Sequence, residues 1–259
     1  MAQATAILTF MRHGEKDDDG KITETGTVQA RSAGIKANSL HGDIMLFHSG
    51  IDRVRQTIRH MAATLNLDEE TEENIQLGEG IVDYISPNLQ YLIDPIKKGE
   101  YFQHWDDIEM TTPNIAKRMD DFLAYGSESP EPKYCYSPRQ MAQNIAIMIG
   151  TQVRFANLTD LSTVVNFVNG SHEPVLMAFI HYFINNYQPD GVSTIEKVGG
   201  TSIDFAEAFE VRVYHQSPTD FNVEFRFRDI VKEFDLEELR DFGYGKSSQL
   251  NRPFTSRHE

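Results

Sequence analysis

The stretch "AILTFMRHGEKDDDGKITETGTVQA", Ala6–Ala30, decides how this 259-residue chain is read. Ala6–Met11 is short and apolar, the pattern of a buried strand. Arg12, His13 and Gly14 follow it directly. Arginine and histidine are poor residues for a buried strand. They suit its C-terminal end, where loops of α/β proteins form ligand crevices. Taken alone, His13 could be a nucleophile, a metal ligand or a solvated loop residue.

Outward from this stretch, helix and strand patterns alternate. Thr25–Asn38 reads as a helix with Val28, Ala30, Ala33 and Ile35 facing inward. Asp43–Phe47 reads as a second buried strand. Ile51–Leu65 reads as a helix carrying Val54, Ile58, Met61, Ala62 and Leu65 at spacings of three and four. Asn74–Leu77 is read as a short third strand. Residues 84–136 hold several prolines, many acids and the single tryptophan, and are read as an inserted cap with a helix near Pro113–Ala124. Ser137 and Pro138 are an N-cap and first helical residue, and Met141, Ile145 and Met148 give that helix its inner stripe. "STVVNFV" is a β-branched strand, and Pro174–Asn185 an apolar helix. "TSIDFAEAFEVRVYH" and "FNVEFRFRD" pair as strands across a polar turn. "DLEELRDFG" is a short helix, and residues 244–259 are read as a flexible polar tail. The expectation is one domain over 1–259: a three-layer α/β sandwich, its sheet mostly parallel with an antiparallel edge and helices on both faces.

Composition narrows the function. Hydrophobic residues make up 40% of the chain, a globular proportion. A formal net charge of −15 argues against nucleic acid and anionic membrane as partners. No run approaches the ~20 apolar residues of a membrane span. Cys135 is the only cysteine, so no internal disulfide forms, and the absence of a signal segment fits the cytoplasm. The sequence carries no reading of oligomeric state.

Three polar clusters fall at expected strand ends: Arg12-His13-Gly14-Glu15, "HSGIDRVRQT" (His48–Thr57) and "NGSHEP" (Asn169–Pro174). If the strands are parallel neighbours, the clusters meet at one sheet edge and bring together Arg12, Arg53, His13 and His172. Two planar guanidinium forks suit phosphate oxygens. Two histidines can supply a nucleophile and a further donor. Other readings fall away. His172-Glu173 does not open a zinc-protease motif, because Leu176 stands where the second histidine must be. No other spacing suggests a metal, and no cofactor is called for. Cys135 and Arg139 enclose too few residues for a cysteine-phosphatase loop. Tyr91, Tyr101, Phe102 and Trp105 could line a substrate cap or form the cap's own small core.

With these motifs the chain resembles the histidine phosphatase superfamily, the phosphoglycerate mutase-like family. The Arg-His-Gly hallmark is Arg12-His13-Gly14. "ITETGTVQA" (Ile22–Ala30) is similar to the family's following motif, and Ser49, Arg53, Gln56 and Thr57 to its next one. His172 matches the second family histidine, and Glu79 in "LGEGI" stands where the family places its general acid. The departure is "SGID" (Ser49–Asp52), where the family often has Ser-Pro-Leu. The resemblance implies a metal-independent phosphatase acting on phosphomonoesters or phosphoramidates, of a small molecule or a phosphoprotein. His13 would attack phosphorus through Nε2 while a backbone carbonyl holds its other nitrogen. Arg12, Arg53 and His172 would bind the phosphoryl oxygens, and Thr25, Gly26 and Ser49 would be further substrate contacts. Glu79 would protonate the leaving group, with Glu173 the alternative acid, as in the acid phosphatase branch. Two other readings are a phosphoglycerate mutase-type phosphotransferase and a weakly catalytic phospho-ligand scaffold. The absence of Lys or Arg in Gly80–Pro95 counts against the first, and the intact Arg12, His13, Arg53 and His172 against the second.

Overall fold

Strand β1 (Ala6–Arg12) lies inside the sheet, parallel to β4 (Val165–Ser171) on one side and antiparallel to β5 (Ala208–Ser217) on the other. The computed structural model describes residues 4–37, 43–66, 82–92, 100–101, 111–158, 164–188, 193–217 and 220–245. Among these, seven strands make one sheet. With β2 (Asp43–His48), β3 (Val82–Ile85), β6 (Asp220–Phe227) and β7 (Ile230–Phe234), its order is β3-β2-β4-β1-β5-β6-β7. The pairs from β3 to β1 are parallel and those from β1 to β7 antiparallel. The expected antiparallel edge is therefore three strands wide. All residues of β1 and β4 are buried, as strands covered on both faces require.

The described helices are α1 (Glu24–Ala37), α2 (Asp52–Asn66), α3 (Thr112–Leu123), α4 (Pro138–Leu158), α5 (Glu173–Ile184), the short α6 (Thr194–Lys197) and α7 (Leu236–Gly243), with a 3-10 turn at Pro87–Leu89. The expected capping residues start α4. Gln140 N donates to Ser137 Oγ (3.2 Å) and Ser137 N to Gln140 Oε1 (2.9 Å), a reciprocal capping box. Helices α4 and α5 share the larger core with Ala6, Leu8 and Phe10. Stacked rings lock α5 onto the sheet: Phe179 on Phe209 (5.2 Å between centroids) and Phe209 on Phe10 (4.9 Å).

The other face is thinner. Met11, Ile44, Leu46, Ile58, Met61, Ala62 and Val168 form its core beneath α1 and α2. A Cβ on Gly34 would fall 2.3 Å from the Met61 carbonyl oxygen, so α1 and α2 meet at backbone distance. This corrects the inward face read for α1 at Val28, while Ala30 is buried and Ala33 packs against the core as expected. Gly26, Ala30 and Gly34 face inward, and Val28 is 58% exposed, because close helix packing selects the small residues rather than the most apolar one. The side chains of Ile35 and Leu65 lie outside the described residues, as does the strand expected at Asn74–Leu77. The third described strand takes in Tyr84 and Ile85, the first residues of the segment read as a cap. Strand β7 was not legible in the sequence. It has no fully buried residue, and Lys232 and Glu233 stand within it, the charged pattern of a protected edge.

Candidate active site

Because β2, β4 and β1 are parallel neighbours, their C-terminal ends meet. Arg12 lies in register with Ser171, and His48 with Gly170. The three polar clusters expected at one edge therefore converge. The rings of His13 and His172 lie 5.4 Å apart, edge to face. Arg53 Nε donates to His13 Nε2 at 3.3 Å, and Ser49 Oγ and His172 Nε2 are 2.9 Å apart. His13, His172, Ser49 and Arg12 are all buried.

The flanking motif residues build the loop that carries His13. Gly14 N donates to Thr57 Oγ1 (3.0 Å), whose hydroxyl donates to the Arg53 carbonyl (2.8 Å). Glu15 N donates to Gln29 Oε1 (3.0 Å). The loop presses on α1 through glycines: a Cβ on Gly14 would lie 2.6 Å from the Gly26 carbonyl oxygen, and one on Gly26 2.2 Å from that of Glu15. Gly26 thus faces the loop's backbone. Thr25 is exposed and lines a groove of about 610 Å³ between α1 and residues 204–210. Of the three further substrate contacts expected, only Ser49 touches the histidine pair. Gly50 adopts a left-handed backbone (φ +83°) in the departing "SGID" turn, a conformation glycine reaches without strain.

Burial, then Arg53 and Arg12, pushes the His13 pKa down to about 3. Burial, then His13 and the same arginines, holds His172 well below the ordinary histidine value. Both rings are therefore neutral at neutral pH. His13 Nδ1 lies 2.8 Å from the Gly14 carbonyl oxygen. A carbonyl only accepts, so the ring hydrogen sits on Nδ1 and Nε2 keeps its lone pair.

Arg12 is held from three sides. Its Nη1 donates to the Ile203 carbonyl (2.6 Å), its Nη2 lies 3.1 Å from Glu173 Oε2, and its guanidinium covers the Phe205 ring at 4.1 Å. Arg12 Nε is buried with no hydrogen-bond partner among the described residues. Glu173 Oε2 also lies 3.7 Å from Arg118 Nη2, which α3 supplies. Phe205 and Arg118 carried no functional signal in the sequence, since each acts through a neighbour distant in the chain. Tyr91, one of the aromatics considered for a cap, sets its ring edge-on to His172 at 4.8 Å. Tyr101 packs on Tyr125 instead. Glu79, Phe102 and Trp105 lie outside the described residues.

Among the described residues, no group of three or more His, Cys, Asp or Glu is placed to hold a metal ion, and no helix is long and apolar enough to cross a membrane. No protein-family model and no curated protein matches the sequence. Solved structures do match. A mycobacterial glucosyl-3-phosphoglycerate phosphatase aligns with TM-score 0.54 at 13% identity, over 85% of this chain and 96% of its own. The same phosphatase in complex with VO3 gives 0.56 at 13%, over 85% and 97%. A phytase from D. castellii gives 0.54 at 11%, over 96% and 80%. At such identities the likeness speaks for architecture alone: the chain shares the three-layer α/β fold of these solved phosphatases.

Proposed function

We propose that this chain is a metal-independent phosphatase that hydrolyses phosphomonoesters or phosphoramidates through a phosphohistidine on His13. The observation that carries the reading is the neutral His13 ring, with Nδ1 fixed on Gly14 and Nε2 turned to Arg53. Arg12, Arg53 and Arg118 outnumber Glu173 in this cluster, which suits a dianionic phosphoryl group. In the first step a bond forms from His13 Nε2 to phosphorus as the bond to the leaving oxygen or nitrogen breaks. Glu79 gives that atom its proton. Water then attacks phosphorus while giving a proton to the Glu79 carboxylate, the N–P bond breaks, and inorganic phosphate leaves as His13 recovers its lone pair and Glu79 its proton. Arg12, Arg53 and His172 bind the phosphoryl oxygens throughout. The named activities of the structural neighbours support a small phosphorylated substrate. Of residues 84–136, those beyond the Tyr84–Ile85 end of β3 are the cap in this reading, which fits the delivery of Arg118 from α3. The single, buried Cys135 suits a cytoplasmic setting.

The test is hydrolysis of phosphorylated metabolites, phosphotyrosine and phosphohistidine with EDTA present, combined with rapid quenching. Turnover in EDTA and a protein-bound phosphoryl group, stable to base and labile to acid, are expected. The label should be missing from His13→Ala. Failure of the whole panel, or turnover restored only by a divalent ion, refutes the reading. Glu79→Gln should slow alkyl phosphates more than aryl ones, because aryl oxides leave with little protonation.

A further inference from the structure

Glu173 opens α5 beside the histidines, where the acid phosphatase branch would place a proton donor. Its contacts argue for another task. Oε2 lies 3.1 Å from Arg12 Nη2 and 3.7 Å from Arg118 Nη2, and the three side chains are only 11%, 6% and 8% exposed for Arg12, Glu173 and Arg118. This oxygen is the anionic partner in both ion pairs, and Oε1 is buried with no hydrogen-bond partner among the described residues. A carboxylate set between two guanidinium groups serves to hold them, whereas a general acid has to present an O–H to the leaving atom.

We propose that Glu173 is a positioning residue whose carboxylate bridges Arg118 to Arg12, so that α3 sets phosphate binding through a residue bonded to neither histidine. The inference rests on the phosphatase reading above. A planar guanidinium is fixed when both its ends are engaged. The Ile203 carbonyl takes one end of Arg12, Glu173 takes the other, and Phe205 covers the face. That leaves Nε–H and the remaining Nη hydrogens for phosphoryl oxygens. Without Glu173, Arg12 and Arg118 would face each other as like charges and Arg12 would turn away. Without Arg118, the uncompensated carboxylate would stand at the edge of the site and repel an incoming dianion.

At Glu173 the bridge and simple charge counting predict opposite signs. Glu173→Gln makes the cluster more positive, so a non-positioning role predicts tighter phosphate binding. The bridge predicts weaker binding, because the amide NH2 would oppose a guanidinium donor. Inorganic phosphate titrated by calorimetry, with kcat and KM for one aryl and one alkyl phosphate, decides between them. Glu173→Gln and Arg118→Met should each weaken phosphate by about 10- to 100-fold. The double variant should be no worse than the weaker single one. Arg118→Lys should recover part of the loss, and aryl and alkyl kcat/KM should fall by the same factor. Unchanged or tighter phosphate binding by folded Glu173→Gln, additive losses, or a greater loss for the alkyl substrate overturns the bridge. If Glu173→Gln does not fold by circular dichroism, the Arg118→Met and Arg118→Lys pair decides, with equal phosphate affinity to wild type as the refuting result. Wild-type protein that binds no phosphate and hydrolyses neither substrate refutes the phosphatase reading itself. Normal wild-type binding with unaffected variants refutes the bridge alone.

Discussion

The two halves of the sheet divide the work. Strands β1–β4 are parallel, and the ends of β1, β2 and β4 bring together His13, Ser49 and His172, all of them buried. Strands β5–β7 are antiparallel, bury Phe209, Phe225 and Phe227 on one face, and carry ion pairs on the other. The parallel half gathers loop ends at one edge, which is what a catalytic site needs. The antiparallel half covers β1 and lends the site a single loop. Arg228 ties that loop down. It pairs with Glu207 (2.8 Å) and donates to the Thr201 (2.9 Å) and Ser202 (2.8 Å) carbonyls, fixing the segment that sets Phe205 against Arg12. Ala206 beside it holds a left-handed backbone (φ +56°), with its N–H on the His13 carbonyl at 3.3 Å. The site thus borrows rigidity from a half that contributes no histidine to it.

The division can be broken from either side. The largest effect is expected for His13→Ala. Loss of the covalent route should reduce kcat by at least ~3 decades, about 4 kcal/mol of barrier, in protein that still folds by circular dichroism. Hydrolysis near the wild-type rate by the folded variant would end the assignment. Phe225→Ala, in the antiparallel half, should do the reverse. A fully buried ring lost from the Phe179, Phe183 and Phe209 stack should cost about 3–5 kcal/mol in urea unfolding. Its kcat per folded molecule should stay within about twofold, and a collapse of kcat would show the halves to be coupled.

A third effect separates the halves by pH. His13 has a folded pKa of about 3 against an ordinary value of 6.5. Between these values the unfolded chain binds a proton that the folded chain refuses, so stability is full above the unfolded pKa and falls as the solution is acidified. At ~1.4 kcal/mol per pH unit, acidification from pH 6.5 to 5 should remove about 2 kcal/mol through His13. His172, shifted in the same direction, adds to this. Urea midpoints should therefore drop less for His13→Gln than for the wild type over that range, while Phe225→Ala keeps the wild-type slope. Equal slopes for all three would contradict a buried, neutral His13. The smallest effect belongs to the Arg212–Glu210 pair on the open face of β5 (2.7 Å). Arg212→Ala should change stability by less than about 1 kcal/mol and leave kcat/KM unaltered, as paired stopped assays and melts would register.

Residues that act through their own position were legible in the sequence. The apolar run before Arg12 announced a strand with a polar end, and "STVVNFV" before His172 announced another. Alternation of helix and strand then implied that both ends share one edge. Ser137 and Pro138 marked a helix start because capping is local hydrogen-bond chemistry. What the tertiary structure decided is what depends on a neighbour distant in the chain. Gly26 and Gly34 turned the inner face of α1 away from Val28, because the approach of another backbone, not apolarity, selected that face. Strand β7 exists because β6 offers it a ladder, its own pattern being half charged. The pairing of Glu173 with Arg12 and Arg118, and the seating of Phe205 under Arg12, depend on where α3 and the loop before β5 come to rest. Sequence fixes the order of chemical groups along a chain, whereas a guanidinium's partner is set by packing across it.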